Sequence, residues 1–284
     1  MSFSRVYRRA GVAALGAMIA GATPAGAQTY PDRPIRMVLP FAPGGGNDVF
    51  ARQMAKGLGE LRGQSIVVEN KPGAGGTLGT EQVVRSNADS ISLLLGHTGT
   101  VSINPALYKQ LKFDSRTDLV PVAMFASSGL VLVVPASSPV KTLADLLTLG
   151  RSNSIGLNYA SSGSGTGGHL TGELFEQRTN IKMTHVPYKG TAPALTDVAG
   201  GQVQMMFSVI PPALALIKAG RLRAIAVTGT ARLPSLPDVP TAAESRIAAL
   251  AGGFESTLTY GILAPKHVPE AIVKELSAQI LKVA

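Results

Sequence analysis

The chain has 284 residues, with 26 Lys or Arg against 17 Asp or Glu, a formal charge of +9, and neither cysteine nor tryptophan. Without cysteine, neither a disulfide framework nor a thiolate metal site supports the fold, so stability rests on core burial. The basic excess is unclustered and aromatic residues are few, which excludes nucleic acid as the expected partner and leaves a mild preference for small anions.

The first residues read as an export leader. Arg5, Arg8 and Arg9 precede an apolar run from Ala10 to Ala22, and Ala25-Gly26-Ala27 meets the small-residue rule for cleavage, so 1-27 is expected to be removed. The residues after Arg8-Arg9 fit a Sec signal better than a twin-arginine one. Loss of the three arginines leaves 23 basic against 17 acidic residues, a net +6. No later apolar stretch reaches the ~18 residues of a membrane span, so a chain that is soluble after export is expected, long enough for two domains of roughly 100 to 150 residues.

Ile35, Met37, Val38 and Leu39 read as a strand covered on both faces, stopped by Pro40 and Pro43. Gly44, Gly45 and Gly46 strip the next turn of side chains. Asn47 is expected to cap a helix with Phe50, Met54, Leu58 and Leu61 on its buried face. A strand, a glycine turn and a helix N-terminus together favour an anion, because free N–H groups and the positive dipole end converge there. The pattern recurs: a strand from Ser65 to Glu69, the loop Asn70 to Gly76 and a helix from Thr77 to Val84. A strand from Ser92 to Leu95 then enters Gly96-His97-Thr98-Gly99-Thr100. In a parallel sheet these three loops share the carboxyl edge, where such folds bind ligands.

Val120 to Phe125 and Leu130 to Val134 read as strands joined by a loop, Ala126 to Gly129, where the chain crosses into a second domain. There the order repeats as strand Ile155 to Ala160, loop Ser161 to Gly168, helix His169 to Arg178, strand Met183 to Pro187 and turn Tyr188 to Thr191. Helix Pro193 to Val198, strand Val203 to Val209, a proline-initiated helix ending before Gly220 and strand Leu222 to Val227 complete a second parallel sheet with its own glycine rim. Leu233 to Pro240 reads as the return crossing, and Ile262 to Ala264 with a helix from Glu270 to Ile280 rejoin the first domain. The expected division is 28-126 plus 235-284 against 127-234, and two crossings imply a hinge.

The rim loops offer N–H and hydroxyl donors from Gly44, Gly45, Gly75, Thr98, Thr100, Ser161, Ser162 and Ser164, with Asp48, Lys71 and Lys189 the only charges. Four or five charge-assisted hydrogen bonds, at about 1.5–3 kcal/mol each, hold a small carboxylate without a salt bridge. Gly163-Ser164-Gly165-Thr166-Gly167-Gly168 fits the dinucleotide fingerprint, but the next strand ends at Pro187-Tyr188-Lys189 with no acid for a ribose hydroxyl. Ser162 and Ser164 with His169 invite a hydrolase, yet no G-x-S-x-G elbow exists. His97, His169, His185 and His267 show no metal-ligand spacing. Asp48 in the first helical turn suits the dipole without any ligand. His169 is as well placed to bond its own loop as to reach a ligand, and Tyr188 and Lys189 stand in a turn whose residues are usually solvated but whose place on the rim favours ligand contact.

The motifs YPDRPIRMVLPFAPGGGND, VENKPGAGG, INPALY, NYASSGSGTGGHLTGELF, HVPYKGTAPALTDVAGGQVQMMF and IKAGRLRAIAVT, in that order, resemble the tripartite tricarboxylate transporter substrate-binding family, also called the Bug family. The resemblance covers nearly all of Tyr30 to Pro265. It implies an α/β type II periplasmic-binding-protein fold, two α/β domains with a hinge and an interdomain cleft. A small organic mono- or dicarboxylate would be captured there by a monomer and passed to membrane permease subunits, with no reaction, cofactor or metal. A ligand-sensing partner of a receptor kinase is the alternative, and a hydrolase the remote one. The positions that correspond to the family's site are Phe41, Ala42, Pro43, Gly44 and Gly45, then Gly73, Ala74 and Gly75, with Thr98, Gly99 and Thr100 beside them. Ser161, Ser162, Gly163, Ser164, His169 and Tyr188 would face them. Asp48 joins this set from the first loop. Ser208 stands where relatives that take amino acids present an acid, so a ligand without an ammonium group is expected. Thr259 replaces a common tryptophan, and Ser90-Ile91 a usual Gly-Tyr. The chain ends at Ala284 inside a helix where relatives continue for two more, so a truncated first domain is expected.

Overall fold

The computed structural model describes residues 34–87, 91–152, 156–251 and 253–284, and Pro34 to Ala284 form one compact unit. The expected leader, Ser90 and the expected strand start at Ile155 lie outside the described residues.

Two five-stranded sheets organise the unit. The first takes β1 (Ile35–Leu39), β2 (Ile66–Asn70), β3 (Ser92–His97), β4 (Leu119–Gly129) and β10 (Thr257–Pro265) in the order β2-β1-β3-β10-β4. The second takes β5 (Val131–Pro135), β6 (Leu157–Ser161), β7 (Met183–Pro187), β8 (Met205–Ser208) and β9 (Leu222–Val227) in the order β7-β6-β8-β5-β9. Helices α1 (Gly46–Arg62), α2 (Thr77–Val84), α3 (Asn104–Leu107) and α9 (Glu270–Val283) accompany the first sheet. Helices α4 (Leu143–Ser152), α5 (Gly167–Thr179), α6 (Thr191–Ala199), α7 (Ile210–Lys218) and the short α8 (Ala248–Ala251) accompany the second. The sheets and their helices are two lobes.

The apolar run of β1 is buried on both faces, with Ile35, Met37, Val38 and Leu39 all at 0% exposure, as a central strand demands. Neither sheet is wholly parallel, however. β1, β2 and β3 run parallel, as do β6, β7 and β8, but β10 pairs antiparallel with β3 and β4, and β5 with β8 and β9. The reversed strand in each sheet is the one delivered by a crossing, since a chain arriving from the other lobe enters from the shared edge.

Ala126 to Gly129 is not a loop. It continues β4 and pairs with β10 through Tyr260↔Ala126, Thr259↔Ser127, Leu258↔Ser128 and Thr257↔Gly129, so the two crossings form one antiparallel ribbon. Thr228 stitches this ribbon to the second lobe, donating its hydroxyl to the Ser256 carbonyl at 2.6 Å and accepting from the Leu130 N–H at 2.8 Å.

Helix α1 also begins earlier than its sequence suggests. Gly45 is the N-cap and makes no side-chain bond, so Asn47 lies inside the first turn. Asp48 supplies what the cap lacks, accepting the Gly44 N–H at 3.1 Å. The buried stripe centres on Ala51, Met54, Ala55 and Leu58, because the two alanines allow the closest approach to the sheet. Leu61 therefore falls at its margin and is 51% exposed.

Candidate functional site

The carboxyl ends of the parallel strands from both sheets meet across a cleft. Directly between the lobes lies a cavity of about 20 Å³. That is room for about one water. Its wall includes Phe41, Gly45, Asn47 and His97 from the first lobe, and Ser162, Thr166, Gly167, Gly168, Thr191, Met206, Phe207 and Val209 from the second. Leu130 and Leu258 come from the two crossings.

Four helices aim their N-termini here. Gly45 and Asn47 begin α1, Thr166 to Gly168 begin α5, Thr191 opens α6 and Val209 caps α7; none of the four N-caps is bonded by a side chain. The first amides of a helix have no intrahelical acceptor, and each N-terminus carries roughly half a positive charge. No Lys, Arg, Asp or Glu lines the cavity. The potential is thus positive without any basic side chain. Pro211 and Pro212 remove two donors from α7, so α1, α5 and α6 supply most of the amides.

His97 stands on this wall as a neutral group. Burial pushes it down to about 4, and its Nδ1 accepts the Gly99 N–H at 2.9 Å, which leaves the proton on Nε2. Its ring stacks on Phe41 at 5.0 Å. Thr100 braces the same turn, its Oγ1 donating to the His97 carbonyl and accepting the His97 N–H.

The residues singled out from sequence divide into two groups. Phe41, Gly45 and Ser162 line the cavity. The others shape the loops around it. Asp48 is 6% exposed and accepts from Gly44, Arg52 and Asn70, while Asn70 also donates to the Phe41 carbonyl. Burial works to raise its carboxyl, but the Arg52 guanidinium, the Gly44 N–H and Asn70 outweigh that and leave it below the ordinary carboxylate value. Gly73, Ala74 and Gly75 form a tight turn with positive φ throughout, and the Gly75 carbonyl accepts from the Asn104 amide. Thr98 accepts the Thr259 N–H, tying that loop to the crossing. The Ala42 N–H donates across the cleft to the Lys189 carbonyl at 3.0 Å, beside Pro43 and Gly44, the latter with φ +78.

In the second lobe, Ser161 is fully buried and bonded to Gly163 and to His185 Nε2 at 2.6 Å. His169 accepts the Gly165 N–H at Nδ1 and stacks on His185 at 4.1 Å. Burial lowers both imidazoles, His185 to about 4. The Tyr188 hydroxyl donates to Asp197 at 2.6 Å and the Ser208 hydroxyl to the Val209 carbonyl. The Ser164 carbonyl faces the first lobe and accepts from Tyr108. Among the described residues the one serine bonded to a histidine is therefore buried inside the lobe and does not line the cavity. Among the described residues no three His, Asp or Glu side chains are grouped to hold a metal, and no helix is long and apolar enough to cross a membrane.

Asn47, His97, Thr166 and Thr191 are the polar wall residues that sequence reasoning did not assign to a ligand. Thr166 and Thr191 carried one usable signal, since each stands where a glycine turn becomes a helix. Leu130 and Leu258 carried none, because they reach the cavity only through the pairing of the crossings.

The profile of the tripartite tricarboxylate transporter family receptor matches residues 50–283. Protein BugT of Bordetella pertussis is 35% identical over 273 residues, 95% of this chain and 82% of that protein. Among solved structures, Rpa4515 of R. palustris with adipate is 35% identical, with a TM-score of 0.84 over 88% of this chain and 83% of that one. MatC of Rhodopseudomonas palustris with bound malate is 32% identical, with a TM-score of 0.83 over 89% of this chain and 85% of that one. Two lobes of this architecture, a cleft walled by helix N-termini, and a family match running from α1 into α9 lead to one assignment: the chain belongs to the tripartite tricarboxylate transporter receptor family, whose members include the Bug proteins.

Proposed function

We propose that the chain is an exported periplasmic solute receptor that closes its lobes around a small organic mono- or dicarboxylate and presents the complex to a membrane permease, without catalysing a reaction. The observation that carries this reading is the convergence of four helix N-termini, unbonded by side chains at their caps, on a cavity with no charged wall residue. An anion gains from such a site and a cation does not. The acids in the two solved relatives, adipate and malate, share that chemistry.

On this reading the lobe built on the first sheet and the lobe built on the second, α8 included, move as rigid bodies about the ribbon at Ala126–Gly129 and Thr257–Tyr260. Loop Phe41–Gly45 presents the free Gly45 amide, with that of Gly46, to one carboxylate, and loop Gly73–Gly75 flanks it. Asn47, the Nε2–H of His97, Ser162, Thr166 and Thr191 add side-chain donors, and Phe207 with Val209 packs the ligand's carbon chain. Ser208 offers no charge to an ammonium group, so acids without one are preferred. A cavity with room for one water cannot admit such a ligand while the lobes are shut, so entry requires opening.

A thermal-shift panel of mono-, di- and tricarboxylates on the mature chain tests this. At a ligand concentration of 100 times Kd, linkage adds about 2.7 kcal/mol, a rise of about 5–10 °C for a chain of this size. Malate or adipate should stabilise and aspartate or glutamate should not. A cooperatively melting protein that no organic acid stabilises refutes the proposal.

A further inference from the structure

We infer that Tyr108 is a latch, its hydroxyl fastening the first lobe to the second across the cleft mouth and so setting how fast ligand leaves; the inference rests on the receptor reading above. Tyr108 follows α3, and its hydroxyl donates to the main-chain carbonyl of Ser164 at 3.1 Å. Among the described residues this is the only side-chain hydrogen bond that spans the cleft away from the ribbon. The other cross-cleft bond, Ala42 N–H to the Lys189 carbonyl, is main chain on both sides.

The contact exists because Gly75 has no side chain. A Cβ there would lie 2.1 Å from the Ser164 oxygen and 2.7 Å from the Tyr108 hydroxyl. Burial raises the Tyr108 phenol above its ordinary value, so it stays a neutral donor at any physiological pH. Tyr108 does not line the cavity. Loss of its hydroxyl therefore acts on closure without removing a ligand contact.

A neighbouring group pulls the other way. Asn104 is fully buried, and its amide nitrogen donates to the Gly75 carbonyl at 2.9 Å. Its Oδ1 accepts no hydrogen bond and is pressed against Gly165, where a Cβ would lie 2.3 Å away. A buried acceptor left unpaired is destabilising, and parting the loops lets water reach it. Closure thus gains at Tyr108 and loses at Asn104, side by side. An equilibrium held between two such opposed contacts shifts measurably when one hydrogen bond is removed.

The test is Tyr108→Phe, which keeps the ring and removes the hydroxyl. The chain has no cysteine, so spin labels on Lys56→Cys in α1 and Lys182→Cys beside β7 report the interlobe distance cleanly. In ligand-free protein the variant's distance distribution should move to longer values. With adipate or malate as probe, koff should rise about fivefold, the worth of one neutral hydrogen bond, with kon within about twofold and the melting temperature unchanged. Distances identical to wild type overturn the latch, as does an unchanged koff in a protein that binds either acid. A wild type that binds neither acid overturns the receptor reading instead, and the distances still decide the latch.

Discussion

Gly75→Ala is expected to lower carboxylate affinity by more than about 100-fold while the protein still melts cooperatively. Gly75 has φ +60, so alanine there pays roughly 1–2 kcal/mol of backbone strain. That cost acts in both open and closed forms. The larger effect is steric: the new methyl would stand 2.1 Å from the Ser164 carbonyl oxygen, an atom of the opposite lobe's main chain that no rotamer change can move aside. The lobes then stop short of contact, and a ligand gripped from one side loses the other half of its donors. A 100-fold loss is about 2.7 kcal/mol, or two charge-assisted hydrogen bonds at the low end of their range. Gly63→Ala is the control. Gly63 has nearly the same φ, +63, with no atom within 4 Å of its Cβ position, so it carries the strain alone. Calorimetric titration of both variants with adipate or malate separates the two causes. Equal affinities for the pair would show that closure does not pass through the Gly75–Ser164 contact.

The same glycines explain how much of the molecule is legible in its sequence. Strand Met183–Pro187, strand Leu222–Val227 and helix Thr77–Val84 are bounded by proline, glycine or a sharp change of polarity, and they lie where the pattern puts them. Strand direction is not written locally. Val131–Pro135 is an apolar run that suits either direction, and the alternation over Thr257–Tyr260 is too short to fix the direction of Thr257–Pro265. The segment Ala126 to Gly129 reads as a loop because small polar residues favour turns; its strand conformation is imposed by pairing with a segment more than 100 residues later in the chain. The cavity is legible only as main chain. Glycine-rich strand ends announce where amides would be free. His97 and Thr191 are single polar residues, and only the three-dimensional approach of the lobes brings them to one wall. Ser161, His169 and Tyr188 draw notice for their chemistry, and in the structure their polar atoms hold the second lobe's own loops.

Asp48→Ala is expected to lower stability by about 2–4 kcal/mol, a fall of about 5–15 °C in melting temperature. The carboxylate receives three kinds of donor: the Gly44 N–H at 3.1 Å, the Asn70 amide at 3.1 Å and the Arg52 guanidinium at 2.9 and 3.2 Å. Charge-assisted bonds are worth about 1.5–3 kcal/mol each. The Arg52 contribution counts for less because that side chain is 57% exposed and screened by solvent. Gly44 and Asn70, in a buried corner, then carry most of the loss. The pH dependence has a definite sign. Burial raises the Asp48 carboxyl, the hydrogen bonds lower it by more, and the net value in the folded protein lies below the ordinary 3.8. A depressed carboxylate contributes fully above its unfolded value and is lost as pH falls through the folded one. The gap in unfolding free energy between wild type and Asp48→Asn should therefore be widest near neutrality, begin to narrow as pH falls below the unfolded value of 3.8, and close through the lower folded value, where native wild type protonates and approaches the amide. A gap that stays constant from neutrality down through the acid limb of the stability profile would show that shape, not charge, holds the corner. Binding should fall with stability in the alanine variant, because Asn70 uses the same amide to hold the Phe41 carbonyl at 3.0 Å. The Asp48 carboxylate is engaged by Gly44, Asn70 and Arg52, which fixes the loop whose neighbouring amides at Gly45 and Gly46 remain free; on the proposed reading Asp48 supports the anion from behind that loop.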